Sequence, residues 1–326
     1  MLKSCLAVSE MNYPYAVGNI KAVQSRLFDK SKFAKLARVE KSDFLKTLKE
    51  LGYAPSVTSD NLEDLINDEL AALKEYFAEI SPDPKLTDLF FMANDATNIK
   101  IMFKQRLFAT EALHRYSHNG SINPNSLEKA IISQDYSEVA PEVKALLLDI
   151  EQQILPLSSA RIISSKIDNA VYDYIFKHMG FSQARVLRKY YQALIDTTNV
   201  ISWLRCRLLE WELSEFATMF IKHGLIPLDV FIQSYAMNKD QVLRVFMDFY
   251  QEKITKALKA YFERPHLNQI EKQLDLLVLE LMQEEKNESF TIGPMIYYYL
   301  QKVAEAKNIR LLYSSVYFDP NDLLEY

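Results

Sequence analysis

The stretch Leu187-Arg-Lys-Tyr-Tyr-Gln-Ala-Leu-Ile-Asp-Thr-Thr-Asn199, running on through Val200, Trp203 and Leu208, decides the fold. Leu187, Tyr190, Tyr191, Leu194, Ile201, Leu204 and Leu208 recur at i, i+3, i+4 and i+7, the spacing of one helix face. No proline interrupts the chain between Pro156 and Pro227. Ser182, after Gly180, is the expected N-cap. Asp196, Asn199, Val200 and Trp203 fall on a different side of the same helix. A helix apolar on two sides is buried on two sides. The polar pair is therefore expected inside the protein.

That pattern recurs. Acid, two residues, Asn, apolar, two residues, apolar is found as Asp95–Asn98–Ile99–Met102, as Asp196–Asn199–Val200–Trp203, and as Glu305–Asn308–Ile309–Leu312. Offsets of 0, +3, +4 and +7 share one helix side, so each copy lays two polar and two apolar groups along a single stripe. Three lead-ins keep step with it: Leu27–Phe28–Asp29 before Phe33, Ile122–Asn123–Pro124 before Leu127, and Ile226–Pro227 before Phe231. The latter two follow Gly120 and Gly224, read as helix stops. An acid-bearing apolar helix precedes each motif, around Asp64, Asp168 and Asp275. Three markers in the same order predict three homologous helical bundles of about 100 residues, at 1–118, 119–222 and 223–326.

Other helices are expected over Leu86 to Tyr116, with Thr87 or Asp88 near the start, over Leu267 to Glu285, and over Pro294 to Tyr313. No alternating strand pattern stands out. The expected class is all-α.

Composition excludes several chemistries. Only 6 glycines occur in 326 residues, against an average near 7%, and they are scattered along the chain. A dinucleotide loop, a Walker loop and a nucleophile elbow all need clustered glycines. The net charge of −5 offers no footprint for nucleic acid. No apolar run reaches the roughly 18 residues of a membrane span, so membrane association is expected to be peripheral. The opening Met1–Met11 is too short a patch for a signal peptide. Cys5 and Cys206 suggest a reducing compartment rather than a disulfide framework or zinc site.

An Asp and an Asn three apart could serve catalysis, but repetition of a buried pair favours a structural lock between helices. Asn carries both a donor and an acceptor, which suits a backbone N–H and C=O together. Asp95, Asn98, Asp196, Asn199, Glu305 and Asn308 are read in that role. His114 and His118 are spaced i, i+4 without an HExxH or a third ligand. Asn94–Asp95 matches half of a class I terpene synthase magnesium motif, yet Asn98 and Met102 stand where a hydroxyl and a Glu are needed. Tyr190–Tyr191 and Tyr297–Tyr298–Tyr299 are expected in the core. No catalytic residue, metal or cofactor is assigned. Two other classes compete: a cytosolic scaffold or adaptor, against which a period of about 100 residues counts, and a helical enzyme with an acidic metal site.

Taken together, these residues resemble the C-subunit family of archaeal and bacterial V/A-type ATPases, which are central-stalk proteins related to the d-subunit of the eukaryotic V-ATPase. The opening Tyr13-Pro-Tyr-Ala-Val-Gly-Asn-Ile-Lys21 and Ser25-Arg-Leu-Phe-Asp29 are similar to that family's start. So are Asn94–Asn98, Leu187–Asn199 and Ile296–Arg310. Lys21 keeps one of the family's two basic positions and Asn19 replaces the other. The resemblance implies an all-helical, three-sector, pseudo-threefold funnel without an active site. It implies a rotor subunit, one per complex, on the cytoplasmic side of the membrane. There it would join the proteolipid ring to the central-stalk subunits of the soluble ATPase head during proton or sodium transport. Lys21, Arg26, Arg205 and Arg310 are the candidate partner contacts.

Overall fold

Short polar residues ahead of apolar runs set many of the helix starts. The computed structural model describes residues 12–109, 116–180, 184–314 and 323–326. Ser182, His114, Cys5 and Met1–Met11 lie outside them. Among the described residues there are α-helices and two short 3₁₀ turns but no strand. Asn12 opens α1 (Tyr13–Val23) by accepting from the Tyr15 N–H at 3.0 Å. Asp29, Asn61 and Asn123 do the same for α2 (Lys30–Leu36), α4 (Leu62–Ile80) and α6 (Pro124–Ile132). Each oxygen meets one of the amide donors that a first turn leaves unpaired. The others are α3 (Lys41–Glu50), α5 (Pro84–Phe108), α7 (Pro141–Ile154), α8 (Ala160–His178), α9 (Arg185–Leu208), α10 (Leu213–Met219), α11 (Leu228–Ser234), α12 (Lys239–Val245), α13 (Lys253–Glu263), α14 (Leu267–Gln283) and α15 (Gly293–Ser314).

Boundaries differ from the sequence expectation in places. Helix α5 starts at Pro84, and its first turn is capped by Asp83, whose Oδ1 accepts from the Leu86 N–H at 3.0 Å. Thr87 instead lies buried inside the helix, its hydroxyl 2.6 Å from that of Ser81. The helix ends at Phe108, and Tyr116 is not helical. Gly120 therefore stops no helix, and Gly224 comes after α10 has closed at Met219. Gly180, at φ +65° behind α8, is the left-handed terminator that a glycine supplies without strain.

The chain divides into two compact units. One holds the described residues of 1–88 and 282–326; α15 packs there on α1 and α4. Phe28 meets Phe33 at 5.7 Å and the edge of Tyr53 at 5.9 Å in its core. The other spans residues 89–281, where α8 packs on α7 and α10. In α9 both sides are buried, Leu187, Tyr191 and Leu204 on one, and Asp196, Asn199, Val200 and Trp203 on the other. Trp203, Phe231 and Phe246 cluster at 5.4–6.4 Å. The Tyr190–Tyr191 and Tyr297–Tyr298–Tyr299 runs are core, as expected.

Candidate functional site

The three acid-and-Asn motifs sit on α5, α9 and α15, and every carboxylate among them is fully buried. A buried carboxylate needs donors, because water no longer supplies them. The backbone supplies them here. Asp95 accepts from the Ser121 N–H and hydroxyl, both at 2.7 Å, and from the Ile122 N–H at 3.2 Å. Asp196 accepts from Leu225 N–H at 2.7 Å, Ile226 N–H at 3.2 Å and the Tyr250 hydroxyl at 2.6 Å. Glu305 accepts from Phe28 N–H at 2.6 Å and from the Lys302 ammonium. These amides belong to the lead-ins of α6, α11 and α2. Helices α5 and α9 each hold the segment that leads into a later helix, α6 and α11, and α15 holds the segment that leads into α2.

The asparagines fasten a second point on the same side. Asn98 accepts from Ser117 N–H at 2.9 Å and donates to its carbonyl at 2.7 Å. Asn199 does this with Ile221 at 3.0 and 2.8 Å, and Asn308 with Leu324 at 2.7 and 2.9 Å. One planar amide thus satisfies both polar groups of one residue. The apolar partners at +4 and +7, namely Ile99 and Met102, Val200 and Trp203, Ile309 and Leu312, are all buried beside these clamps.

Gly120 and Gly224 owe their identity to the carboxylates. A Cβ at Gly120 would lie 2.0 Å from Asp95 Oδ1, and one at Gly224 would lie 2.0 Å from Asp196 Oδ1. The carboxylates occupy the volume that any other side chain would claim. In the third clamp Arg26 stands at the matching place, just before Leu27 and Phe28, and the acid is the longer Glu305.

The clamps also differ electrostatically. Burial outweighs the hydrogen bonds from Tyr250, Leu225 and Ile226 and pushes the Asp196 carboxyl up to about 6. Burial and the adjacent Asp196 carboxylate raise the Tyr250 phenol well above its ordinary value. In the third clamp Lys302 bridges Glu305 and Glu69, the latter at 2.7 Å. Burial disfavours its charge, but the two carboxylates more than offset this and hold it protonated. Lys302 also sits 4.9 Å above the Tyr53 ring. Tyr53 follows Phe28 at nearly the distance at which Tyr250 follows Ile226. Its buried hydroxyl has no hydrogen-bond partner among the described residues. The sequence gives no sign of Tyr250, Lys302 and Glu69 as clamp residues, because their spacing carries no repeating signal.

The candidate partner contacts fall into two groups. Arg205 is paired with Glu271 at 2.5 Å, and Arg310 grips both oxygens of Glu63 at 2.8 and 2.7 Å. Lys21 and Arg26 are exposed, and Arg26 borders a cavity of about 250 Å³ shared with Glu69, Tyr76, Tyr298 and Lys302. Among the described residues no group of three His, Cys, Asp or Glu side chains is placed to hold a metal ion, and no helix is long and apolar enough to cross a membrane.

Comparison with known proteins extends over the whole arrangement. The family model of the ATP synthase (C/AC39) subunit matches residues 16–325. The chain is 22% identical to the C-subunit of the V-type sodium ATPase of Enterococcus hirae, over 90% of either protein. It is 22% identical to the C-subunit of the A-type ATP synthase of Haloquadratum walsbyi, covering 94% of this chain and 95% of that one. With the protein of the same description from Methanosarcina barkeri it shares 20%, over 93% and 88%. All three clamp helices lie inside the matched span, and the chain belongs to the ATP synthase (C/AC39) subunit family.

Proposed function

We propose that this chain is a non-catalytic central-stalk subunit of a V/A-type ATPase. It couples the stalk of the soluble ATPase head to the membrane proteolipid ring during proton or sodium transport. In this reading it is peripheral to the membrane on the cytoplasmic side, with one copy per complex. The observation that carries the reading is the family match over residues 16–325. The clamp chemistry supports it. The acids and asparagines that a catalytic reading would need are engaged with backbone amides, which stiffens the junctions between helices instead of presenting groups to a substrate. Stiff junctions and a packed interior pass strain onward with little loss. Three homologous modules at 1–118, 119–222 and 223–326, each fastened to the next, complete the proposal. Lys21 and Arg26 remain its candidate contacts for acidic surfaces of the ring or stalk. Affinity purification of the tagged chain from native membranes tests it. Recovery of the proteolipid and central-stalk subunits is expected; recovery of the chain without them would overturn the reading.

A further inference from the structure

The chain from 228 to 264 contains neither glycine nor proline, yet it is broken between α12 and α13. Val242, Phe246, Tyr250, Ile254, Ala257 and Tyr261 follow one another by three or four residues straight across the break, and so do the exposed Arg244, Asp248, Glu252, Lys256, Lys259 and Glu263. Two stripes of that kind are the pattern of one amphipathic helix over 239–263. The break itself is strained. Tyr250, Gln251 and Glu252 stand at φ +52°, +52° and +63°, a left-handed turn that residues with a Cβ adopt only at a cost. Elsewhere among the described residues, non-glycine residues at positive φ occur singly. Nor do the helix ends explain the turn. Helix α13 opens without a side-chain cap and places Lys253 at the positive end of its dipole, and α12 closes at Phe246 without a glycine. Local preference and fold disagree here, and such a conflict marks a place where the surroundings impose the conformation.

We propose that α12 and α13 are one form of a two-state element whose other form is a single straight helix, and that the Tyr250–Asp196 bond is the catch that holds the bend. The phenol donates to Asp196 Oδ2 at 2.6 Å. Tyr250 is half-buried, whereas Gln251 and Glu252 are exposed. The Lys253–Glu280 ion pair at 2.7 Å is partly exposed and holds weakly. Phe246 keeps the bent form dominant, because straightening draws it from its place 5.6 Å from Trp203 and 5.4 Å from Phe231. In return, straightening relieves the left-handed turn and sets Glu252 and Lys256 on one helix face as an i, i+4 pair. The second clamp thereby governs the shape of its own unit, since Asp196 holds the lead-in of α11 and the bend at once.

The test measures a distance in the full-length chain. Lys239 Nζ donates to the Phe262 carbonyl at 2.9 Å, so the ends of the bent element touch. In one straight helix residues 240 and 263 would stand about 35 Å apart, at a rise of about 1.5 Å per residue. Spin labels are placed by Asp240→Cys and Glu263→Cys in a chain that also carries Cys5→Ser and Cys206→Ala. Tyr250→Phe is expected to raise the fraction at the long distance at least 10-fold over the same labelled chain without it, the loss of one charge-assisted bond. Adding Gln251→Gly should lower that fraction again, because glycine takes the left-handed turn without strain. Gln251→Gly alone should raise the melting temperature by about 2 °C or more. A Tyr250→Phe chain that keeps only the short distance, or whose distances spread without a maximum at the long one, would overturn the proposal. So would a melting temperature lowered or unmoved by Gln251→Gly, a readout that stands even where Tyr250→Phe does not fold.

Discussion

Asp196 and Gly224 are two halves of one device, and their energetics should show it. Asp196→Ala strands two backbone amides and the Tyr250 hydroxyl, a loss of about 3 kcal/mol or more. Gly224→Ala drives a methyl into the carboxylate, for about 1–3 kcal/mol. Without the carboxylate the methyl has room, so the double variant should fall short of the sum by about 1 kcal/mol or more in denaturant titrations. The two tyrosines provide a second contrast. Tyr250→Phe removes a charge-assisted bond and should cost about 1.5–3 kcal/mol, whereas Tyr53→Phe removes an unpaired buried hydroxyl and should be neutral or stabilising. A third expectation concerns pH. The Asp196 carboxyl is raised in the folded state from an ordinary value of 3.8 to about 6, so the fold binds the proton more tightly than the unfolded chain. Its contribution is fully present below about pH 4 and is lost as pH rises through about 6, a span on the order of 3 kcal/mol. The stability difference between wild type and Asp196→Asn, followed from pH 4 to 7, should shrink by that order as pH rises.

At the scale of single elements, α15 carries the most demanding chemistry. Lys302 is shared by two carboxylates, and a buried charge left without its partner is costly. Lys302→Met should destabilise by about 3–5 kcal/mol, and adding Glu305→Gln should recover part of the lost melting temperature. Elements are also where the sequence is most legible. The 3.6-residue period locates α9 and its second buried side, because burial on two faces leaves no freedom in residue type. The extents of α14 and α15 agree with their periodicity to within a residue or two. Ends set by tertiary contacts do not follow from it. Asp83 caps α5 although Thr87 and Asp88 are equally plausible cap residues, since only the placed side chain reaches the amide. Gly120 and Gly224 look like helix stops because glycine near a helix end usually is one; the carboxylate that requires each of them is distant in sequence. The roles of Asn98, Asn199 and Asn308 are legible, since an amide on a buried helix face has few uses other than pairing with backbone. Tyr250 and Lys302 are not, since each serves a single clamp.

For the molecule as a whole, the clamps fall into two kinds by the chain length they span. Those of Asp95 and Asp196 close over 26–30 residues inside the unit formed by 89–281. That of Glu305 joins residues 277 apart, in the unit built from both flanks of the chain. This distinction has a consequence for biosynthesis. Synthesis runs from the N-terminus at roughly 5–20 residues per second, and segments fold as they emerge. The middle of this protein can therefore mature on the ribosome while its beginning waits, since α1 and α2 have no α15 to rest on until the end. Nascent chains arrested soon after Leu281 has cleared the exit tunnel should protect the Leu225 and Ile226 amides from hydrogen exchange and leave Phe28 open. Until translation nears completion, the Phe28 amide lacks its Glu305 acceptor and α1 lacks α15, and incompletely packed apolar surface of this kind is where a nascent chain is most open to aggregation.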